Sequence, residues 1–203
     1  MAVLNYTPGR AADPRRLFVK WAAGFWLLLA LVCPPPLPAQ ESSTKEYQIK
    51  AVFLFNFIQF TAWPDTAFPE ATAPIRIGLL GTAPFGDALQ AAVQGEKIGS
   101  RPVTIERLAG LQEAAGCHLV FVGKSEANDI PAIISALAGR PVLTVGDMPD
   151  FARRGGMINF YLDGQKVRFE INRAATLRSN LRLGSQLLGL ARLVGPQVSA
   201  GED

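Results

Sequence analysis

An α/β fold around a central, mostly parallel sheet is what the sequence predicts, on three observations. Short apolar runs recur at residues 75–80, 118–122 and 142–145. Stretches with helical spacing of apolar residues separate them. A hairpin signal follows, then a leucine-rich stretch. Apolar strands interleaved with helices bury both faces of a sheet, as parallel strands with crossover helices do. The expected architecture is a single-domain α/β sandwich that ends in a C-terminal β-hairpin and a long C-terminal helix.

The first element expected is a helix over residues 45–63, capped by Ser43 or Thr44 and stopped at Trp63 by Pro64. Phe53, Phe57 and Phe60 form one stripe, which Leu54 and Ile58 widen. Its polar stripe is thin, comprising Gln48, Asn56 and Gln59. Such a helix is buried on most sides or covered by a partner. A strand over 75–80 then ends at Gly81. The spacing predicts a helix over 84–93, a short strand over 103–105, and a buried strand over 118–122. A helix over 126–137 accepts Pro131 poorly. After a third core strand over 142–145, Asp147 opens a short helix near Phe151.

Residues 157–162 and 165–171 flank Asp163-Gly164, which suits a two-residue type I′ turn. That turn pairs Phe160 with Val167 and Ile158 with Phe169 on an apolar face. It pairs Asn159 with Arg168 and Met157 with Glu170 on a polar, solvated one. Asn172 caps a final helix running from Arg173 to about Val194, with Arg178 and Arg182 one turn apart and facing water.

The first forty residues carry a different message. Arg10, Arg15, Arg16 and Lys20 precede an apolar stretch over 21–32, then prolines and Ala39. This is the pattern of a secretory signal peptide, too short to span a bilayer, with cleavage expected after Ala39. An uncleaved anchor and acylation at Cys33 compete with it, though Val32 is larger than acylation prefers. The chain has 20 Lys+Arg and 17 Asp+Glu. Four of those bases and one acid, Asp13, precede Gln40, so the remainder is balanced in charge and gives no support for nucleic acid. The expected organisation is a signal peptide over 1–39, one domain over 45–194 and a flexible tail over 195–203. Cys117 alone remains after cleavage, which excludes an internal disulfide and a cysteine-rich metal site.

Tests for chemistry give structural answers. Gly78 to Gly86 follows a strand and opens a helix, but the spacing is not that of a dinucleotide loop and no lysine is present. It reads as a tight turn. His118, the only histidine, cannot make a histidine-rich metal site, and neighbouring Cys117 points to the opposite strand face. Asp147 and Asp150 read as capping residues. Arg168 and Glu170 share a hairpin face and pair with each other or with an anion. No nucleophile, base and oxyanion site assembles from the sequence, and neither a cofactor nor a catalytic residue is expected.

The order of motifs points further. Lys50 to Phe60 ending in Trp63-Pro64 resembles the opening helix of the YfiR family. The stretches 77–81, 117–122, 143–147, 155–160 and 168–172 and the leucine-rich end follow in the family's order, so the resemblance spans about residues 45–194. It implies a non-catalytic periplasmic regulator that binds the periplasmic part of an inner-membrane diguanylate cyclase and represses it, lowering cyclic di-GMP and affecting biofilm. It further implies an outer-membrane lipoprotein that sequesters the repressor, a small aromatic ligand, and a homodimer. Some members carry disulfides in this domain, which a single cysteine cannot form here. Phe53, Asn56, Phe57, Asn159, Arg168 and Glu170 are the expected partner- or ligand-binding residues. The competing expectation is a periplasmic small-molecule module acting on another receptor, such as a histidine kinase. A hydrolase would need His118, Asp147 and Glu170 gathered in one pocket.

Overall fold

The computed structural model describes residues 38–195, with side chains from Ser43. The leader, Cys33 and residues 196–203 lie outside the described residues. The described residues from Ser42 onward belong to one compact unit, which carries the sheet.

Helix α1 (Pro38–Gln59) opens the described chain, so the expected cleavage after Ala39 falls in its first turn, and Ser43 and Thr44 lie inside it rather than capping it. It ends at Gln59, short of Trp63, because strand β1 (Thr61–Ala62) peels off to pair with a distant segment. A 3-10 turn (Asp65–Ala67) leads to β2 (Ile75–Leu80). Then come α2 (Ala88–Val93), β3 (Lys97–Ile98), β4 (Arg101–Leu108) and α3 (Leu111–Ala114). Helix α2 starts later than the spacing predicts, since Gly86 takes a left-handed φ of 51° that no helix contains. Next are β5 (Leu119–Val122), a 3-10 turn (Lys124–Glu126), α4 (Ile130–Ala136) and β6 (Leu143–Gly146). Pro131 breaks nothing, because it sits in the first turn of α4, where its missing N–H has no partner to lose.

No helix forms at Asp147. Residues 149–155 are turns, with Asp150 at φ 59°. The Phe151 ring packs over Gly146 and Gly156, where a Cβ would lie 2.7 and 2.3 Å from ring atoms. Strands β7 (Ile158–Asp163) and β8 (Lys166–Ile171) make the hairpin. Its turn sits one residue further on than expected. Asp163 pairs with Lys166, so Gly164 (φ 61°) and Gln165 are the central residues. Phe160 therefore faces Phe169 and Asn159 faces Glu170. The two-residue change in pairing keeps every side chain on its expected face.

The long C-terminal helix is absent. Helix α5 (Arg173–Arg178) stops at Asn180, which adopts φ 57°. Leu181 N–H bonds to Thr176 C=O at 3.0 Å and Asn180 N–H to Leu177 C=O at 3.1 Å, the two bonds of a Schellman stop. β9 (Arg182–Leu183) then pairs antiparallel with β1, α6 (Ser185–Leu190) follows, and β10 (Arg192–Leu193) runs parallel to β8. The expected N-cap holds: Asn172 Oδ1 accepts from Ala175 N–H at 3.0 Å.

Among the described residues, an eight-stranded sheet runs β10-β8-β7-β6-β5-β2-β4-β3. It is parallel except at β7–β8 and β3–β4. On one face, Ile77, Leu119, Phe121, Val145 and Phe160 pack under α1 through Leu54, Phe57 and Ile58. On the other, Val120, Val122 and Leu80 meet Ile130 and Ile133 of α4 and Phe151. Both faces of β5 are buried, so its sequence is continuously apolar rather than alternating. Among the described residues no helix is long and apolar enough to cross a membrane.

Candidate functional site

A parallel sheet offers a ligand crevice at the carboxyl ends of its strands, where the chain order reverses. Here the chain leaving β2 runs to β3 and β4 on one side and the chain leaving β5 runs to β6 on the other, so that point lies between β2 and β5. Backbone fills it. Gly123 N–H bonds to Leu80 C=O at 2.8 Å, and a Cβ on Gly123 would lie 2.1 Å from the Thr82 carbonyl oxygen. Ser125 Oγ accepts from Thr82 N–H at 2.9 Å. The glycine loop is a strand-to-loop turn with Gly81 at φ 72°.

One strand further on, at the carboxyl end of β6, a buried polar cluster sits where α1 crosses. Asp147 Oδ2 accepts from the Tyr47 hydroxyl at 2.5 Å and from Lys50 Nζ at 3.0 Å. Lys50 also bonds to Glu46, one turn earlier, and its ammonium lies 4.4 Å from the Tyr47 ring centroid. Lys124, largely exposed, approaches Asp147 Oδ2 at 3.9 Å. Asp147 Oδ1 is buried without a protein partner among the described residues. Burial first, then the bond to Asp147, pushes the Tyr47 hydroxyl above its ordinary value, so it remains a donor. Asp147 is therefore the acceptor of an interlayer tie and not a helix cap. The sequence carried a signal for it. Lys50 is the lone base on the stripe Tyr47-Ala51-Leu54-Phe57-Ile58 that faces the core, and a buried base requires an acid.

The hairpin supplies a second polar constellation. Glu170 Oε1 accepts from Asn159 Nδ2 at 3.3 Å, and Glu170 Oε2 from Arg192 at 2.6 Å. The Arg192 guanidinium stacks 4.3 Å from the Tyr161 ring centroid, and the bond to Glu170 raises its pKa. Arg168 pairs with Asp163 at 2.8 Å, not with Glu170. The polar hairpin face is thus only partly solvated. Asn159 and Glu170 are buried, while Arg168 is exposed.

The expected binding residues separate by depth. Phe57 is wholly buried, with its ring 5.5 Å from Phe160 and 5.0 Å from Phe169. Phe53, partly exposed, touches the same two rings at 6.1 and 5.3 Å. Asn56 is half-buried. The apolar side chains that α1 presents outward are Ile49 and Val52, which the aromatic pattern in the sequence obscured.

At the amino ends of the strands the reactive side chains are tied up. His118 Nδ1 accepts from Arg76 N–H at 3.1 Å, leaving Nε2–H to donate to Ala67 C=O at 3.2 Å. Its ring stacks on Phe68 at 4.6 Å, and burial lowers its pKa. Cys117 Sγ donates to Glu106 Oε1 at 3.1 Å. Burial, then Glu106, pushes the thiol up to about 12, which leaves it without thiolate at neutral pH. Arg76 clasps Glu106 in a bidentate pair and holds its carboxyl below the usual range. His118 precedes β5 and Asp147 follows the neighbouring parallel strand, so they lie at opposite ends of the sheet, roughly 15 Å apart. The hydrolase arrangement of His118, Asp147 and Glu170 is not assembled. Among the described residues no group of three or more His, Cys, Asp or Glu is placed to hold a metal ion.

The fold and these sites define an open α/β domain whose polar groups mostly hold its layers together. Residues 47–192 match the model of the YfiR/HmsC-like family, and the chain belongs to that family. Two solved structures are similar in part. One is an ABC domain from Streptococcus pneumonia in complex with L-Trp, 11% identical, with a TM-score of 0.43 over 59% of this chain and 55% of that one. The other is a conserved domain protein from Vibrio cholerae, 10% identical, with a TM-score of 0.48 over 70% and 59%. The chain spans a little over half the length of both.

Proposed function

We propose that this protein is a periplasmic, non-catalytic regulator that binds the sensor region of an inner-membrane diguanylate cyclase and represses it, lowering cyclic di-GMP. The observation that carries the reading is the family match over residues 47–192. The state of the reactive groups supports it. The thiol of Cys117 is held protonated, and both nitrogens of His118 are spent on backbone bonds. Repression by binding requires only that the protein prefer the inactive state of the cyclase. Export through the leader would bring it to the compartment where that sensor region lies. An outer-membrane lipoprotein that sequesters the protein, a small aromatic ligand and a homodimer belong to the same reading.

With Phe57, Asn159 and Glu170 buried, the contact to the receptor falls either to Phe53 and Asn56, with Ile49 and Val52 beside them on α1, or to Arg168 on the opposite face of the sheet. The test is cellular cyclic di-GMP after deletion of the gene, with complementation by the exported chain and by a form starting at Gln40. A rise that only the exported chain reverses supports the reading. An unchanged level overturns it in favour of a small-molecule module for another receptor. Arg168→Glu that folds and binds the sensor region with unchanged affinity removes the hairpin from the contact.

A further inference from the structure

We propose that the exposed side of α5, with the groove beside it, docks on an anionic phospholipid surface. Residues 171–195 contain four arginines and no acid, whereas the rest of the domain mixes both signs. Arg192 is spent on Glu170. Among the described residues, the guanidinium groups of Arg173, Arg178 and Arg182 make no ion pair or hydrogen bond.

These three cations surround exposed apolar surface. On α5, Ala175 and Thr176 face inward, while Arg173, Ala174, Leu177 and Arg178 face out. Leu177, 54% exposed, therefore lies between an arginine on each flank. Beyond the Schellman stop, Arg182 shares a depression of about 550 Å³ with Leu177, Trp63 and Pro64. Asp65 is the one acid of that lining. Leu190 (71% exposed) and Leu193 (55%) belong to the same acid-free segment.

Apolar side chains flanked by unpaired cations match the headgroup layer of an anionic membrane, where leucines enter the acyl boundary and arginines meet phosphates. The arrangement suits lipid better than a protein carboxylate. Point recognition of a carboxylate uses a guanidinium fork held in place by its surroundings, and all three of these guanidinium groups stand exposed and unheld. A diffuse layer of phosphates needs no fixed fork. The proposal is independent of cyclase repression, because vesicles contain no receptor.

The test is flotation of the purified full chain with vesicles of phosphatidylglycerol and phosphatidylcholine, against phosphatidylcholine alone. The leader, with its apolar stretch over 21–32 and the bases Arg10, Arg15, Arg16 and Lys20, itself favours anionic vesicles but is common to all variants, so the readout is the change between variants in the ratio of the two compositions. The expected result is preference for the anionic vesicles, lost at high salt. Each arginine at such a surface is worth about fivefold in partition, so Arg178→Gln with Arg182→Gln lowers that preference by on the order of 25-fold. Arg140→Gln, at the end of α4, leaves it unchanged. Thermal melting confirms that the variants fold. Equal partition onto both compositions, or an unchanged ratio in the double variant, overturns the proposal. Capture by immobilised poly-glutamate without vesicle binding also overturns it and assigns the face to an acidic protein.

Discussion

Lys50 Nζ lies 3.0 Å from Asp147 Oδ2, joining the opening helix to the carboxyl end of β6 across 97 positions of sequence. Both side chains are almost wholly buried, so each depends on the other for its charge. Lys50→Met leaves Asp147 buried with Tyr47 as its one close donor. The expected loss is about 3–5 kcal/mol, the usual cost of breaking a buried pair from one side. Lys50→Met combined with Asp147→Asn recovers most of it, because the neutral amide still accepts from Tyr47. Urea midpoints of the two variants check this.

Phe57 and Phe53 touch the same two rings but differ in depth. Phe57→Ala empties a fully enclosed site and costs about 3–5 kcal/mol. Phe53→Ala costs roughly half as much, since water reaches its outer edge. Should Phe53 belong to the receptor contact, its variant loses repression out of proportion to its unfolding midpoint.

His118 predicts the sign of a pH effect. Burial depresses its folded pKa below the ordinary 6.5, so the unfolded chain takes up a proton first on acidification. The stability tied to neutral His118 is complete above pH 6.5 and is lost as pH falls from there through the folded value. Melting temperatures across that window fall more steeply for the native chain than for His118→Gln. Equal slopes would mean that the ring is not held neutral.

Gly123→Ala tests the closed crevice. The clash is with a backbone carbonyl, which cannot rotate away as a flexible side chain could. A loss of about 1–3 kcal/mol is expected. Gly164→Ala, at a turn with open space around it, costs only the strain of its left-handed φ, about 1 kcal/mol. Chemical unfolding of the two variants ranks them.

The strands were legible because parallel strands buried on both faces are apolar along most of their length, and residues 75–80, 118–122 and 142–145 are so apart from Arg76, His118 and Thr144. Faces survived in the hairpin even though the turn moved, since the altered pairing preserved parity. The C-terminal helix is shorter than its leucine spacing predicts for a local reason. Asn180 stops it, and asparagine announces a left-handed stop far more weakly than glycine. Helix α1 ends before Trp63 for a distant one: Thr61 and Ala62 pair with Leu183 and Arg182, and nothing near them in sequence announces that partner.

The sequence by itself determined the α/β class, the order of the core strands along the chain, the hairpin and the family. Each rests on local periodicity or on motifs met in order. Only the tertiary structure decided which polar residues are buried and with whom: Lys50 with Asp147, Glu170 with Arg192, His118 with Arg76 and Ala67. Such pairs join residues 22 to 97 positions apart, and their existence follows from the cost of leaving a charge or donor dry and alone. That cost is set by burial, which one residue's neighbours in sequence do not fix.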